Sequence, residues 1–360
     1  MYSICKSIGV FTLLLFLPLT ISAQSALNDL GFSGQFFFSY EKTFESVPVD
    51  NEFLLKRGYI TFRRNITDRV SIRFTQDVNV DQEGDGEGDI ELRLKYALVN
   101  IAMNDTRLIK NSSIEFGVVN RPWIDFEQDI NDFRSQQSMF LDNTNILNSA
   151  DYGITYTGQL GEDLPESAQT GIRSAPGRYG SFSIGIYNGG GYAALEKNNN
   201  KLIEGRLSLR PLAEQLPGFQ TSIIGSVGKG NIPESPDFNM GALALSYENE
   251  KWIAILQGFT GTGDVEGNFV DQNFESIELN GWSAFSEIKP FEFPVSLTLR
   301  YDELNNRDLA EWHTRKFVTG LAYVFSNRSK IILDYDHSWY NEADGSRTVD
   351  TLEIITEIRF

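Results

Sequence analysis

The chain has 360 residues and 40.6 kDa, with 41% hydrophobic and 22% charged residues. It is too apolar to be disordered and, at a mean hydropathy of -0.26, too polar for a bundle of membrane helices. Acidic residues outnumber basic ones by 49 to 31, a net charge of -18, so the basic footprint of a nucleic-acid binder is missing.

Residues 1–23 read as a secretory signal: Lys6 gives a positive start, Ile8 to Leu19 an apolar core, and Ile21-Ser22-Ala23 a small-residue cleavage site before Gln24. The apolar core is too short for a membrane anchor. Cys5 would leave with the signal, so residues 24–360 are expected to form one domain without cysteine. The histidines, His313 and His337, lack ligand spacing, and no cofactor is expected.

Beyond residue 23 no run approaches the 18 apolar residues of a spanning helix. A period of two recurs instead. Val70, Ile72, Phe74 and Val78 alternate with Arg69, Ser71, Arg73, Thr75 and Asp77, and Ile90, Leu92, Leu94 and Tyr96 with Glu91, Arg93 and Lys95. Sixteen such segments begin near Gly31, Leu54, Arg69, Asp89, Ser112, Asp151, Tyr179, Lys201, Phe219, Asn239, Lys251, Ile277, Pro294, Arg315, Ser329 and Thr348. Short connections such as Asn65–Asp68 and Asn249–Glu250 alternate with long ones: Glu41–Phe53, Val80–Gly88, Asn120–Ala150, Asn188–Asn200, Gly261–Ser276, Glu303–Thr314 and Tyr340–Arg347. An even strand count with alternating loop lengths is how an outer-membrane barrel is strung. The eighteen-residue Gly161–Arg178 connection breaks the rule on the short side.

A soluble sandwich also alternates. Here, however, charges sit at mid-strand and aromatics such as Tyr40, Trp252, Tyr301, Phe317, Phe325 and Trp339 collect near strand ends, as in interfacial girdles. The chain stops on Phe360 at the end of a strand. The expected fold is therefore an all-β transmembrane antiparallel barrel of about sixteen strands, wide enough for an aqueous channel. Parity turns Arg57, Arg63, Arg69, Arg73, Arg93 and Lys95 toward the lumen, opposed by Asp77 and Glu91. Asp334, Asp336, Glu353 and Glu357 lie on the last two strands. That implies a field across the pore, basic on the N-terminal wall and acidic opposite, unless the charges only hydrate one another.

Gly117-Val-Val-Asn-Arg-Pro-Trp-Ile-Asp-Phe-Glu, Met139-Phe140-Leu141 and Ala150-Asp-Tyr-Gly-Ile-Thr-Tyr resemble the strand, constriction loop and following strand of the phosphate-selective porin O and P family. Leu55-Lys-Arg-Gly-Tyr-Ile-Thr-Phe-Arg and Phe182-Ser-Ile-Gly-Ile-Tyr-Asn-Gly are also similar to it. The resemblance implies a sixteen-stranded, trimeric outer-membrane pore whose third external loop folds inward; the general style looks like proteins of the Bacteroidetes. Arg121, Asp125, Glu127 and Arg134 would then stand at the constriction. The chain departs from an anion-selective pattern there. Residues 120–150 carry Arg121 and Arg134 against Asp125, Glu127, Asp129, Asp132 and Asp142, which would repel phosphate unless the wall opposes it.

Smaller signals are weaker. Asp81, Glu83, Asp85 and Asp89 alternate at a spacing that can wrap calcium, but Leu92 stands where a bidentate Glu is needed, and a solvated acidic loop is the plainer reading. Gly225-Ser-Val-Gly-Lys-Gly lacks the spacing of a phosphate loop. His337 falls on the lipid-side parity, and its neighbour Ser338 points to the opposite face, so no catalytic pair forms. The expected role is a porin for passive diffusion of small hydrophilic solutes or ions, phosphate or other anions among them, in contact with outer-membrane lipid. The alternative is a barrel anchoring adhesion or ligand-binding loops; an enzyme is not expected.

Overall fold

The computed structural model describes residues 30–44, 51–81, 88–290, 292–308, 312–342 and 345–360. The signal segment and the candidate ligands Glu83 and Asp85 lie outside them. Sixteen strands follow one another: β1 (Gly31–Thr43), β2 (Asn51–Asn65), β3 (Val70–Val80), β4 (Ile90–Ala102), β5 (Ile109–Asn120), β6 (Ala150–Leu160), β7 (Gly180–Tyr187) and β8 (Leu202–Leu209). Then come β9 (Gln220–Lys229), β10 (Asp237–Glu248), β11 (Trp252–Thr262), β12 (Glu278–Ile288), β13 (Val295–Asn306), β14 (His313–Val324), β15 (Lys330–Glu342) and β16 (Gly345–Arg359). Each pairs antiparallel with its neighbours, and β1 pairs with β16, closing the sheet. Among the described residues no helix is long and apolar enough to cross a membrane. Closure gives every strand two partners, the condition for a lipid-facing sheet.

The last residue completes the seam. Phe360 and Gly34 exchange backbone hydrogen bonds of 3.0 and 3.1 Å. The Phe360 ring lies over Gly34, where a Cβ would come within 2.3 Å of it. A side chain at position 34 would displace the terminal ring.

Outward positions are apolar, as parity predicts: Ile223, Val227, Leu243, Leu321 and Ile354 are all more than half exposed. The inner face is not uniformly polar. From β9 to β12 it carries Ile224, Phe238, Met240, Ala242, Ala244, Ile253, Ile255, Phe259, Leu279 and Phe285, all buried. These pack against residues 121–149, the third long connection, which folds into the barrel as predicted. Within it are α1 (Pro122–Ile130) and α2 (Phe140–Asn143). Pro122 opens α1, where its missing N–H costs nothing. Trp123, Ile124, Phe126, Ile130, Phe133, Phe140 and Leu141 point into the inward apolar face and are at most 4% exposed. Gly281 on β12 leaves room for this docking, since a Cβ there would lie 2.9 Å from the Phe140 and Phe259 rings. At roughly 1.5–3 kcal/mol per fully buried large side chain, the loop is a fixed inner wall. The lumen beside β9–β12 is thus filled by packed side chains, and open space remains on the side of β1–β5.

Of three register shifts among the described residues, one lies in β5 between Lys110 and Ser113, and the other two correct the parity. In β2, Phe37 pairs with Arg57 but Phe38 pairs with Leu55, so Lys56 is an extra residue. Lys56 and Arg57 both face inward. In β4, Thr75 pairs with Tyr96 and Gln76 with Leu94, so Lys95 is extra. Tyr96, expected on the lipid side, turns inward with Lys95 and is 5% exposed. The expected long connection Tyr340–Arg347 is mostly strand, since pairing runs up to Glu342 and Gly345.

Candidate functional site

The infolded loop is held by ion pairs as well as apolar contact. Arg121 donates to Glu204 of β8 through Nε (2.7 Å) and a terminal nitrogen (2.5 Å), and Asp151 lies 3.8 Å away. Arg121, Glu204 and Asp151 are fully buried. Expected at the constriction, Arg121 is instead an anchor, drawn into the wall because Glu204 also accepts the Trp123 N–H at 3.2 Å. Glu127 is likewise buried, accepting from Gln257 at 2.6 Å. Burial pushes its carboxyl up to about 7, against the opposing charge of Arg300 and that hydrogen bond. Its second oxygen has no partner, which suits a protonated group.

The acidic wall is consumed in the same way. Glu357 accepts from Ser135 (2.8 Å), Asp334 from Gln136 (2.5 Å), Asp336 from Gln137 (2.5 Å), and Glu353 from Lys56 (2.6 Å). All four carboxylates are buried, three of them bonded to the loop and Glu353 to Lys56 of β2. Asp132 meets Lys330 at 3.2 Å and Arg359 at 2.6 Å. Burial alone would raise its pKa, but Lys330, Arg359, Arg173 and Arg328 hold it down to about 2. The expected field with an open acidic pole is therefore not what forms. The acidic side ties down the loop, and the basic side faces the open space.

That space is two cavities meeting at a neck. The one toward the long loops has about 810 Å³ and is lined by Lys56, Arg57, Arg93, Lys95, Arg134 and Lys197 against Asp142 and Glu266. The one toward the short turns has about 600 Å³ and is lined by Arg63, Arg73, Lys95, Arg134, Arg173, Arg328 and Arg359 against Asp125, Asp129 and Asp132. Tyr59, Lys95 and Arg134 line both and mark the neck. Arg134 donates to the Tyr59 hydroxyl at 2.6 Å. The Lys95 ammonium donates to Ser149 Oγ at 2.8 Å and lies 5.1–5.7 Å from the centroids of Tyr59, Tyr96 and Tyr192. Above the neck Arg57 grips Asp77 with two hydrogen bonds (2.9 and 2.7 Å) and Tyr192 with a third (2.8 Å), and Arg93 pairs with Glu91 at 3.0 Å. Below it Arg73 covers the Tyr96 ring at 4.0 Å, and Arg63 pairs across the sheet with Arg73 without an acid between them.

Of the six wall cations expected from parity, Arg57, Arg63, Arg73, Arg93 and Lys95 line the two cavities, whereas Arg69 lies in the exposed turn before β3. Of the four loop residues, Asp125 and Arg134 do, while Arg121 and Glu127 do not. Sequence reasoning missed Lys56, Tyr59, Tyr96, Tyr192, Arg173 and Arg328. Lys56-Arg57 was a usable signal: adjacent charges in a regular strand would put one into lipid, at a cost of about 2–4 kcal/mol near the midplane, so a bulge was the cheaper solution. Asp81 and Asp89 meet through backbone, Asp81 N–H to Asp89 C=O at 2.8 Å. No metal-holding cluster of His, Cys, Asp or Glu occurs among the described residues. His337 faces outward with its ring 4.0 Å from Trp339 and Nδ1 2.6 Å from Asp350. Gly225–Lys229 is plain strand within β9.

No family model and no curated protein matches the chain. Solved structures do. The anion-selective porin from Comamonas acidovorans matches with a TM-score of 0.65 at 10% identity, over 92% of this chain and 99% of that one. The trimer form of OmpT, an outer-membrane protein of Vibrio cholerae, gives 0.59 at 10% identity over 92% and 99%. The outer membrane channel DcaP of Acinetobacter baumannii gives 0.58 at 11% identity over 92% and 97%. The chain has the closed sixteen-stranded fold of outer-membrane porins.

Proposed function

We propose that this barrel is a passive outer-membrane channel that favours small anions. One observation carries the reading: in a chain of net charge -18, eleven different cations line the two cavities against five carboxylates, and Arg63, Arg73, Lys95 and Arg134 among them make no ion pair among the described residues. A low-dielectric wall lined by one sign of charge raises the local concentration of the opposite ion. Asp132 and Arg359 neutralise each other and leave the balance unchanged, and Glu127 is buried away from both cavities. Inorganic phosphate is a natural candidate solute, because unpaired guanidinium donors suit its oxygens. No bond is made or broken. Assembly into trimers, residence in the outer membrane and removal of residues 1–23 belong to the same proposal.

The test is single-channel recording in planar bilayers with a KCl gradient. The expected reversal potential has the sign of chloride preference, and added phosphate reduces chloride current by competition. A potassium-selective channel would overturn the anion reading, and a barrel that conducts nothing would favour a loop anchor.

A further inference from the structure

The nineteen-residue connection between β6 and β7 has no counterpart among the other short turns, and the channel reading above gives it no role. It does not hang free of the barrel. Asp163 and Gly177 form an antiparallel bridge at its base, and Leu164 N–H donates to Pro176 C=O at 2.8 Å. From this stem the tip crosses the turn end of the lumen to β9, β10 and β12. Glu248, at the end of β10, accepts the backbone N–H of Arg173 at 2.8 Å and of Ser174 at 3.2 Å, and its other oxygen accepts the Ser174 hydroxyl. Glu248 and Ser174 are buried, and Gln220 of β9 adds a hydrogen bond to Ser174 at 2.8 Å. The tip is therefore fixed at the turn ends of β9 and β10, below the packed apolar faces of β9–β12.

Arg173 looks the other way. One terminal nitrogen donates to the Ile130 carbonyl at the end of α1 (3.2 Å), and the other reaches Glu287 of β12 (3.2 Å). Glu287 already lies 3.5 Å from Lys289 and accepts from Ser296 at 2.8 Å, so it is not the counter-ion of Arg173 alone. The Arg173 side chain is 21% exposed and lines the lower cavity. A guanidinium has five donors in a fixed fork, and those left over face the open path.

We propose that this connection is a second constriction element, a floor that bars ions from the β9–β12 side and places Arg173 in the path as a selectivity residue on the periplasmic side. The inference rests on the anion-channel reading and deepens it: the anion meets a fixed guanidinium below the neck as well as Lys95 and Arg134 within it.

The experiment uses the full mature barrel, checked for its heat-modifiable compact form, in bilayers with a tenfold KCl gradient (a gradient of about that size gives a clear reversal potential). Arg173→Glu should lower the chloride-to-potassium permeability ratio about threefold, and Arg173→Lys should leave it near wild type. Arg173→Gln, which adds no charge, carries the same test with about half the shift should the Glu variant not assemble. Glu248→Ala releases the tip, so it should raise single-channel conductance and make a further Arg173→Glu change nearly silent. Wild-type permeability ratios in both Arg173→Glu and Arg173→Gln would overturn the proposal while leaving the anion reading standing. Potassium preference in the wild type would instead sink the anion reading, whatever Arg173 does.

Discussion

Two arginines of the infolded loop, separated by thirteen positions, do opposite work, and their burial tells them apart. Arg121 is fully buried against Glu204 and Asp151. Removing it leaves two buried carboxylates without a cation, a loss of about 3–5 kcal/mol. Arg121→Ala should therefore lower thermal stability of the barrel and expose residues 121–149 to protease, with selectivity changed only as a consequence. Arg134 is half-buried at the neck and bonded to a neutral phenol. Arg134→Ala should leave melting nearly unchanged and reduce chloride preference; equal melting temperatures for the two variants would contradict this division. Glu127 gives a pH test. Its folded-state pKa, raised by burial to about 7, lies above the usual 4.5, so its contribution to stability is full below pH 4.5 and lost as pH rises through 7. Glu127→Gln should thus gain stability relative to wild type at pH 8 and little at pH 4, by thermal melting in detergent. An equal effect at both pH values would mean that the carboxyl is solvated. None of this division was legible from residue type. Both arginines and the glutamate were simply charges on a predicted loop, and burial was decided by partners such as Glu204 and Gln257, more than 80 positions away.

The strands were more legible than the loop between them. Period two placed all sixteen, because each must be apolar toward lipid along its whole length. The faces went wrong where the period slips by one residue, at Lys56 and Lys95, since a bulge leaves composition unchanged while reversing every side chain beyond it. A second feature was present but not separable. In β10, Phe238, Met240, Ala242 and Ala244 face inward while Leu243 and Leu245 face outward. A strand apolar on both sides is one covered on both sides, and here the inner cover is α1 and its flanks. The prediction at this scale concerns that contact. Trp123 is fully buried and donates to Gln257 at 3.0 Å, so Trp123→Ala removes a large side chain and orphans an amide. A loss of about 3–5 kcal/mol is expected. The barrel should survive, being closed by strand pairing, but the loop should loosen. Single-channel conductance should rise, with added current noise, while the strand content seen by circular dichroism stays constant. Unchanged conductance would show that the loop is held by its ion pairs alone.

At the scale of the whole molecule the charge is sorted, not averaged. Acidic residues dominate the chain by 49 to 31, yet the two cavities carry a cationic surplus. The sorting follows from how the barrel closes. β16 returns beside β1, bringing Glu353 and Glu357 next to β15 with Asp334 and Asp336, and the infolded loop bonds three of them while Lys56 takes Glu353. Taking up the acids on one wall leaves the bases of β2–β4 to set the potential of what remains open. If that potential, and not a tight site at the neck, selects the ion, it must be screened. The Debye length is about 10 Å at 0.1 M salt and about 3 Å at 1 M, so the cations lining a cavity act together at the first concentration and singly at the second. Chloride preference measured from reversal potentials at a fixed concentration ratio should then fall steeply between mean KCl concentrations of about 0.1 M and 1 M. A site of direct coordination would behave differently. Lys95 and Arg134 would still strip and hold an anion at high salt, the preference would persist, and current would saturate with concentration. A salt-independent preference would therefore move the mechanism from the field of the sorted charges to the neck alone.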